Sequence, residues 1–171
     1  MTSFTPRPWL VLWIAAALAM PGCALGPRMV DHAFGFDALA DSPQVEILHY
    51  RYGSTNAAFV SADTAIRQFG KSMQATNING PIPLGDTLYV KWRLKATGQT
   101  FEETVDLKSV LPREMERQRV YFVVQADHLF VYLTDLTKPR PDSAPIVGPF
   151  RVQSYVTRQI HPATPPTTPH R

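Results

Sequence analysis

The clearest pattern in the chain is Leu88–Leu94, with the sequence LYVKWRL, in which apolar residues alternate with polar or charged ones. A period of two is typical of a β-strand that has one buried face. If Thr97 and Gly98 form a two-residue turn, antiparallel pairing places Leu94 opposite Phe101, so that apolar side chains of both strands share one face. The pattern therefore predicts a β-hairpin with one face in a hydrophobic core.

Four further segments are rich in Val, Ile, Tyr and Phe and predict strands. They are Val45–Tyr52, Val120–Val124, Leu129–Leu133 and Phe150–Ile160. The one predicted helix is Ala62–Met73, which Asp63 is placed to cap. Six or so strands and one short helix predict a mainly β protein, organised as an antiparallel β-sandwich-like domain.

The chain has 171 residues, enough for one modest domain. We expect this domain to span residues 44–161, after a tether over 23–43 that has few periodic apolar positions. Residues 162–171 are rich in proline and predict a disordered tail. The formal net charge of +3 is too small to indicate nucleic-acid binding.

Residues 1–22 predict an export signal. The apolar run Trp9–Met20 is too short for a membrane-spanning helix, which needs roughly 18 residues. Gly22 and Cys23 follow, and Cys23 is the only cysteine of the chain. This ending resembles the signal of bacterial lipoproteins, in which the cysteine carries lipid chains such as palmitate. The resemblance implies a lipid anchor at Cys23, and Ala24 resembles the sorting pattern for the outer membrane. An ordinary signal peptide with an incidental cysteine is the alternative.

The sequence contains no catalytic or cofactor-binding motif with the spacing that such chemistry needs. His-Glu-x-x-His, Gly-x-Ser-x-Gly and the dinucleotide-binding fingerprint are all absent. A single cysteine also excludes a zinc site built from cysteines. We therefore expect no cofactor, no metal site and no enzymatic activity.

Acidic residues leave one enzymatic alternative. Glu102, Glu103 and Asp106 lie close together along one predicted strand. The predicted register places Glu102 opposite Arg93, and a neighbouring cation keeps a carboxylate ionised, so we expect ion pairs rather than a general acid. A small envelope hydrolase that uses these acids or His128 is the alternative.

One candidate contact site for a protein partner is Tyr50, Arg51 and Tyr52. Tyrosine and arginine are enriched among the residues that contribute most to binding at protein interfaces. Strict alternation along this strand places Tyr50 and Tyr52 on the face opposite Val45. A strand with one packed face and one solvated face is the alternative.

Two loops are further candidates for partner contact, because loops on a rigid sheet often bind partners. They are Asn77–Pro83 and Gln125–His128. A polar turn that explains Asp127 and His128 without any chemistry is the alternative.

Several strand and turn motifs resemble those of a group of small proteobacterial lipoproteins. The motifs are Gly85–Arg93 (GDTLYVKWR), Thr97–Gln99 (TGQ), Glu103–Leu107 (ETVDL), Leu111–Pro112 and Tyr121–Val124 (YFVV). Some of these lipoproteins are encoded beside lipase effectors of type VI secretion and are taken to be their immunity proteins. The resemblance implies a non-catalytic, periplasm-facing protein that binds and blocks such an effector. A structural lipoprotein of a cell-envelope or secretion assembly is the alternative.

Overall fold

The computed structural model describes residues 28–54 and 60–163, which form nine strands and two short helices. The strands are β1 (Met29–Asp37), β2 (Val45–Tyr52), β3 (Val60–Ser61), β4 (Ala75–Pro83), β5 (Thr87–Leu94), β6 (Thr100–Asp106), β7 (Gln118–Gln125), β8 (His128–Pro139) and β9 (Tyr155–His161). The helices are α1 (Ala38–Asp41) and α2 (Asp63–Phe69), and Phe150–Val152 form a 3-10 turn.

The strands form two sheets that pack face to face. One sheet has five strands in the order β4-β1-β7-β8-β9, and the other has four in the order β3-β2-β5-β6. Among the described strands, neighbours are antiparallel except β1 and β7, which run parallel. The predicted mainly β, sandwich-like fold is confirmed, and the parallel pair is a feature that the sequence analysis did not anticipate.

Aromatic side chains from both sheets fill the space between them. Phe36 stacks on Phe122 within the five-stranded sheet, with ring centroids 4.4 Å apart. Phe34 stacks on Tyr52 of the facing sheet at 4.5 Å, and Trp92 is only 1% exposed. Full burial of one such side chain contributes about 1.5–3 kcal/mol. This aromatic core holds the two sheets together.

The strand β1 shows that the predicted tether over 23–43 is wrong from residue 29 onward, while residues 23–27 lie outside the described residues. Met29–Asp37 form an inner strand of the five-stranded sheet, and Phe34 is completely buried. Residues 29–43 therefore belong to the domain that was predicted to begin at residue 44. Sequence alternation missed this strand because His32 occupies a buried position, where its ring forms a 2.9 Å hydrogen bond with the Tyr52 hydroxyl. Burial lowers the pKa of His32, which favours the neutral ring.

The β5–β6 hairpin buries the predicted face, but its register differs from the prediction. Trp92, rather than Leu94, pairs with Phe101. The connection is longer than a two-residue turn: Leu94 donates a hydrogen bond to the Gln99 carbonyl, and Gly98 has a φ of 74°. Because the pairing is displaced by two residues, the same side chains still face the core.

A β-bulge at Leu48 interrupts the alternation of β2. The pairing with β5 shifts between Ile47 and His49, so Leu48 is an extra residue on this strand. Val45 and Ile47 face the core before the bulge, and Tyr50 and Tyr52 face it afterwards. The prediction that Tyr50 and Tyr52 lie on the face opposite Val45 is therefore wrong.

The helix α2 is shorter than predicted. It ends at Phe69, and Gly70 follows in the left-handed conformation with a φ of 71°. Asp63 makes no side-chain cap; instead its own backbone N–H donates to the Ser61 hydroxyl at 3.3 Å.

Two other segments differ from their predicted structure. Asn77–Pro83, predicted as an exposed loop, belongs to β4 at the edge of the five-stranded sheet. The predicted strand Phe150–Ile160 is a strand only from Tyr155 onward, after the 3-10 turn. The predicted strands Val45–Tyr52, Val120–Val124 and Leu129–Leu133 are confirmed and lie in β2, β7 and β8.

The predicted signal over 1–22, Cys23, and residues 164–171 of the predicted tail lie outside the described residues. Within the described part of the chain, no helix is both long and apolar enough to cross a bilayer.

Candidate protein-binding surface

The outer side of the four-stranded sheet carries a continuous set of charged and aromatic side chains, which we call the polar face. Its members are Glu46, His49 and Arg51 of β2, Asp63 of α2, Tyr89, Lys91 and Arg93 of β5, and Glu102 of β6. The bulge at Leu48 turns His49 and Arg51 outward, and pairing sets them beside Lys91 and Tyr89. The polar face contains three cations and three carboxylates.

Arg51 and Tyr89 form the centre of the polar face. The Arg51 guanidinium carbon lies 5.4 Å from the centroid of the Tyr89 ring, within the range of a cation–π interaction. The buried Arg51 Nε atom has no hydrogen-bond partner among the described residues. The His49 ring contacts the same tyrosine, with ring centroids 5.7 Å apart. Tyr89 therefore packs against two side chains of β2.

His49 connects the sheet to the start of α2. Its Nε2 atom lies 2.8 Å from a carboxylate oxygen of Asp63, and the Ser61 hydroxyl donates to the other oxygen at 2.9 Å. The hydrogen bond with His49 has the larger effect, and together with the bond from Ser61 it holds the pKa of Asp63 below its usual value. The carboxylate of Asp63 thus stays ionised and fixes the His49 ring against Tyr89.

Glu102 connects Tyr89 to a second cation. The Tyr89 hydroxyl donates to Glu102 at 3.0 Å, and the Lys91 ammonium lies 3.2 Å from the same oxygen. The hydrogen bonds from Tyr89 and Lys91 lower the pKa of Glu102. Burial, followed by the hydrogen bond to Glu102, raises the pKa of Tyr89. The hydroxyl therefore remains a donor at neutral pH.

Two of the three acidic residues of β6, Glu102 and Glu103, are paired, but with partners other than those expected. Asp106 forms no ion pair with any described residue, and its carboxylate accepts a 3.0 Å hydrogen bond from the Lys108 N–H. Glu102 pairs with Lys91 instead of Arg93, and Arg93 pairs with Glu46 at 2.5 Å. Glu103 lies 2.6 Å from the His161 ring of the other sheet. The two-residue difference in register accounts for the exchange of partners.

This arrangement is chemically suited to a polar molecular contact. The side chains hold each other in place, and they present charges of both signs beside an aromatic ring, a combination that fits a polar protein interface. No group of three His, Cys, Asp or Glu side chains in residues 28–54 and 60–163 is arranged to hold a metal ion.

The structure separates the five predicted contact residues. Arg51 lies on the polar face, whereas Tyr50 and Tyr52 are 3% and 2% exposed in the core, so the prediction that they contact a partner is wrong. Asp127 and His128 are exposed at the β7–β8 turn of the other sheet, with a 3.3 Å contact between them. These two residues are accessible, but they lie outside the polar face.

Tyr89 and Asp63 belong to the polar face but were not among the residues predicted to contact a partner. Tyr89 could have been found, because the alternation in Leu88–Leu94 already assigns it to the polar side of the strand. Asp63 could not, since only the packing of α2 brings it to His49.

The chain matches no known protein-family model, no curated protein and no solved structure.

Proposed function

We propose that this chain is a lipid-anchored protein on the periplasmic side of the outer membrane, where it binds and inhibits a secreted antibacterial effector. In this proposal the chain is an immunity-type protein and not an enzyme. The observation that carries it is the Arg51–Tyr89 pair at the centre of the polar face.

The geometry of this pair supports a role in binding. Arginine and tyrosine are the types that contribute most to protein interfaces, particularly near the centre of the contact. Here both side chains are held by neighbours on a sheet, so little side-chain entropy is lost when a partner binds. The surrounding ion pairs of Lys91 and Arg93 would form the polar rim of such an interface.

The anchor is a proposal that rests on Gly22 and Cys23 of the sequence. Several acyl chains on Cys23 would hold the domain at the membrane, at about 0.8 kcal/mol for each buried methylene. Substitution Cys23→Ser should move the protein from the detergent phase to the soluble periplasmic fraction. Unchanged partitioning of this variant would contradict lipidation.

The binding proposal is tested by calorimetric titration of the full chain, in detergent, with the product of the adjacent gene. A nanomolar dissociation constant, about −12 kcal/mol, together with loss of effector activity in the complex, is the expected result. No heat at two temperatures with both proteins folded would overturn the proposal and favour a structural role in an envelope or secretion assembly.

Variants of the polar face locate the contact. Arg51→Ala and Tyr89→Ala should each weaken the complex, whereas Arg158→Ala, at an exposed residue of the edge strand β9, should not. Circular dichroism of each variant verifies the fold. Equal affinity of all three folded variants would place the contact elsewhere, and Asp127→Ala with His128→Ala then tests the β7–β8 turn.

A further inference from the structure

A cleft of about 340 Å³ opens on the outer side of the five-stranded sheet, the side of the sandwich opposite the polar face. Its walls come from β1, β4, β7 and the 3-10 turn. The polar residues that line it are Asp37, Thr76, Asn77, Arg119, Tyr121 and Arg151. Its volume lies near the lower end of the range for small-molecule sites.

The two arginines of the cleft differ in how well they are paired. Arg151 donates to the Asp37 carboxylate at 2.6 Å, and the other oxygen of Asp37 accepts from the Ala40 N–H at 3.1 Å. Asp37 is only 8% exposed and both its oxygens are occupied. Arg151 and Asp37 therefore neutralise each other.

Arg119 lacks such a partner. Within the described part of the chain, its one hydrogen bond is a 3.5 Å contact to the Asn79 side-chain oxygen, and its buried Nε has none. Because Nε is buried, a ligand would reach this guanidinium through its two terminal nitrogen atoms, and that edge of the planar group is shaped to hold a carboxylate through two parallel hydrogen bonds.

A second acid near the cleft is also engaged. Asp41 accepts a 2.8 Å hydrogen bond from the Tyr121 hydroxyl. Within the described residues, Arg119 takes part in no ion pair with any carboxylate. Its charge is therefore available for a ligand.

We propose that this cleft binds a small carboxylic acid, with the ligand carboxylate on Arg119 and with Asn77 and Arg151 at its sides. The volume fits a molecule of the size of a dicarboxylate such as glutarate. This site does not depend on the proposed immunity function, since it lies on the opposite side of the sandwich.

The test is a titration of the 15N-labelled full chain in detergent with glutarate, followed by the NMR signal of the Arg119 Nε–H group. That signal is assigned from its absence in the Arg119→Gln variant. We expect a saturable shift with a millimolar or tighter dissociation constant, and at least tenfold weaker binding in Arg119→Gln. Arg158→Gln, at an exposed residue of the edge strand β9, is the matched control and should bind as the parent does.

Three outcomes would overturn the proposal: a shift that sodium chloride reproduces at equal ionic strength, saturable binding of inorganic phosphate but not of glutarate, or unchanged affinity in folded Arg119→Gln. An acidic peptide that binds at least tenfold more tightly than glutarate would assign the cleft to a protein carboxylate and overturn the small-molecule assignment. If Arg119→Gln does not fold, Arg119→Lys keeps the charge without the planar fork and should also bind at least tenfold more weakly.

Discussion

The indole N–H of Trp92 donates a 2.8 Å hydrogen bond to the backbone carbonyl of Ala126. Trp92 belongs to the four-stranded sheet, whereas Ala126 lies in the β7–β8 turn of the five-stranded sheet. Ala126 has a φ of 53°, a left-handed conformation that costs a non-glycine residue about 1–2 kcal/mol. The bond thus connects the two sheets at a turn whose backbone conformation is unfavourable by itself.

Substitution Trp92→Phe should lower the free energy of unfolding by about 1–3 kcal/mol, because it removes the hydrogen bond to Ala126 and leaves a void where the larger ring of this 1% exposed side chain packs. Urea unfolding of the full chain in detergent measures the change. Phe150→Leu is the control: this aromatic side chain is 85% exposed, so its unfolding free energy should stay within about 0.5 kcal/mol of the parent. Equal effects of the two substitutions would contradict the importance of the Trp92 bond.

Arg51→Lys should weaken the proposed effector complex by about tenfold or more, although the charge is retained. A lysine lacks the planar group that stacks on Tyr89 and that offers several donors to a partner. Calorimetric titration gives the dissociation constant, and Lys91→Arg, a conservative change at the edge of the polar face, should alter it by less than about threefold. If Arg51→Lys binds as tightly as the parent, the stacked guanidinium has no part in the contact.

The His49–Asp63 pair predicts a pH effect with a defined sign. The folded-state pKa of Asp63 lies below its ordinary value of 3.8, so this carboxylate stabilises the fold fully above that pH. The stabilisation is lost as the pH falls through the lower, folded-state value. In His49→Ala the pKa of Asp63 should rise toward 3.8, since the hydrogen bond that is the largest cause of the shift is removed. A carbon-detected NMR titration of the Asp63 carboxyl measures both values, and an unchanged pKa in the variant would assign the shift to Ser61.

Gly35→Ala should destabilise the edge of the five-stranded sheet. A β-carbon at this position would lie 2.9 Å from the backbone oxygen of Thr76 in the neighbouring strand, so β4 must move away. Such overpacking costs about 1–3 kcal/mol. Amide hydrogen exchange should become faster at β4 and stay unchanged in the β5–β6 hairpin, which serves as the internal control. Uniform acceleration in both places would indicate global destabilisation instead.

Much of the fold could be predicted, because most inner strands carry a strong local pattern. The alternation of Leu88–Leu94 predicts β5, and the apolar segments around Val120 and Leu129 predict β7 and β8. β1 was missed because a histidine stands at a core position, and the Tyr52 hydroxyl that satisfies this histidine comes from the facing sheet. No local pattern contains that hydrogen bond.

The candidate surface was harder to predict than the fold. Tyr50, Arg51 and Tyr52 were predicted together as contact residues, but the bulge at Leu48 turns Arg51 outward and Tyr50 and Tyr52 into the core. A bulge depends on how two strands pair, and a single strand sequence carries no direct sign of it.

The alternating pattern of β5 is enough to assign its polar side, since a strand places successive side chains on opposite faces. The same pattern shows that Tyr89 and Lys91 point away from Trp92. The residues that meet Tyr89 on that side could not be assigned in this way, because Arg51 and Glu102 reach it through strand pairing whose register depends on the bulge and on the length of the β5–β6 connection. Local alternation is a property of consecutive residues, whereas a contact between distant segments depends on the packing of the whole sandwich.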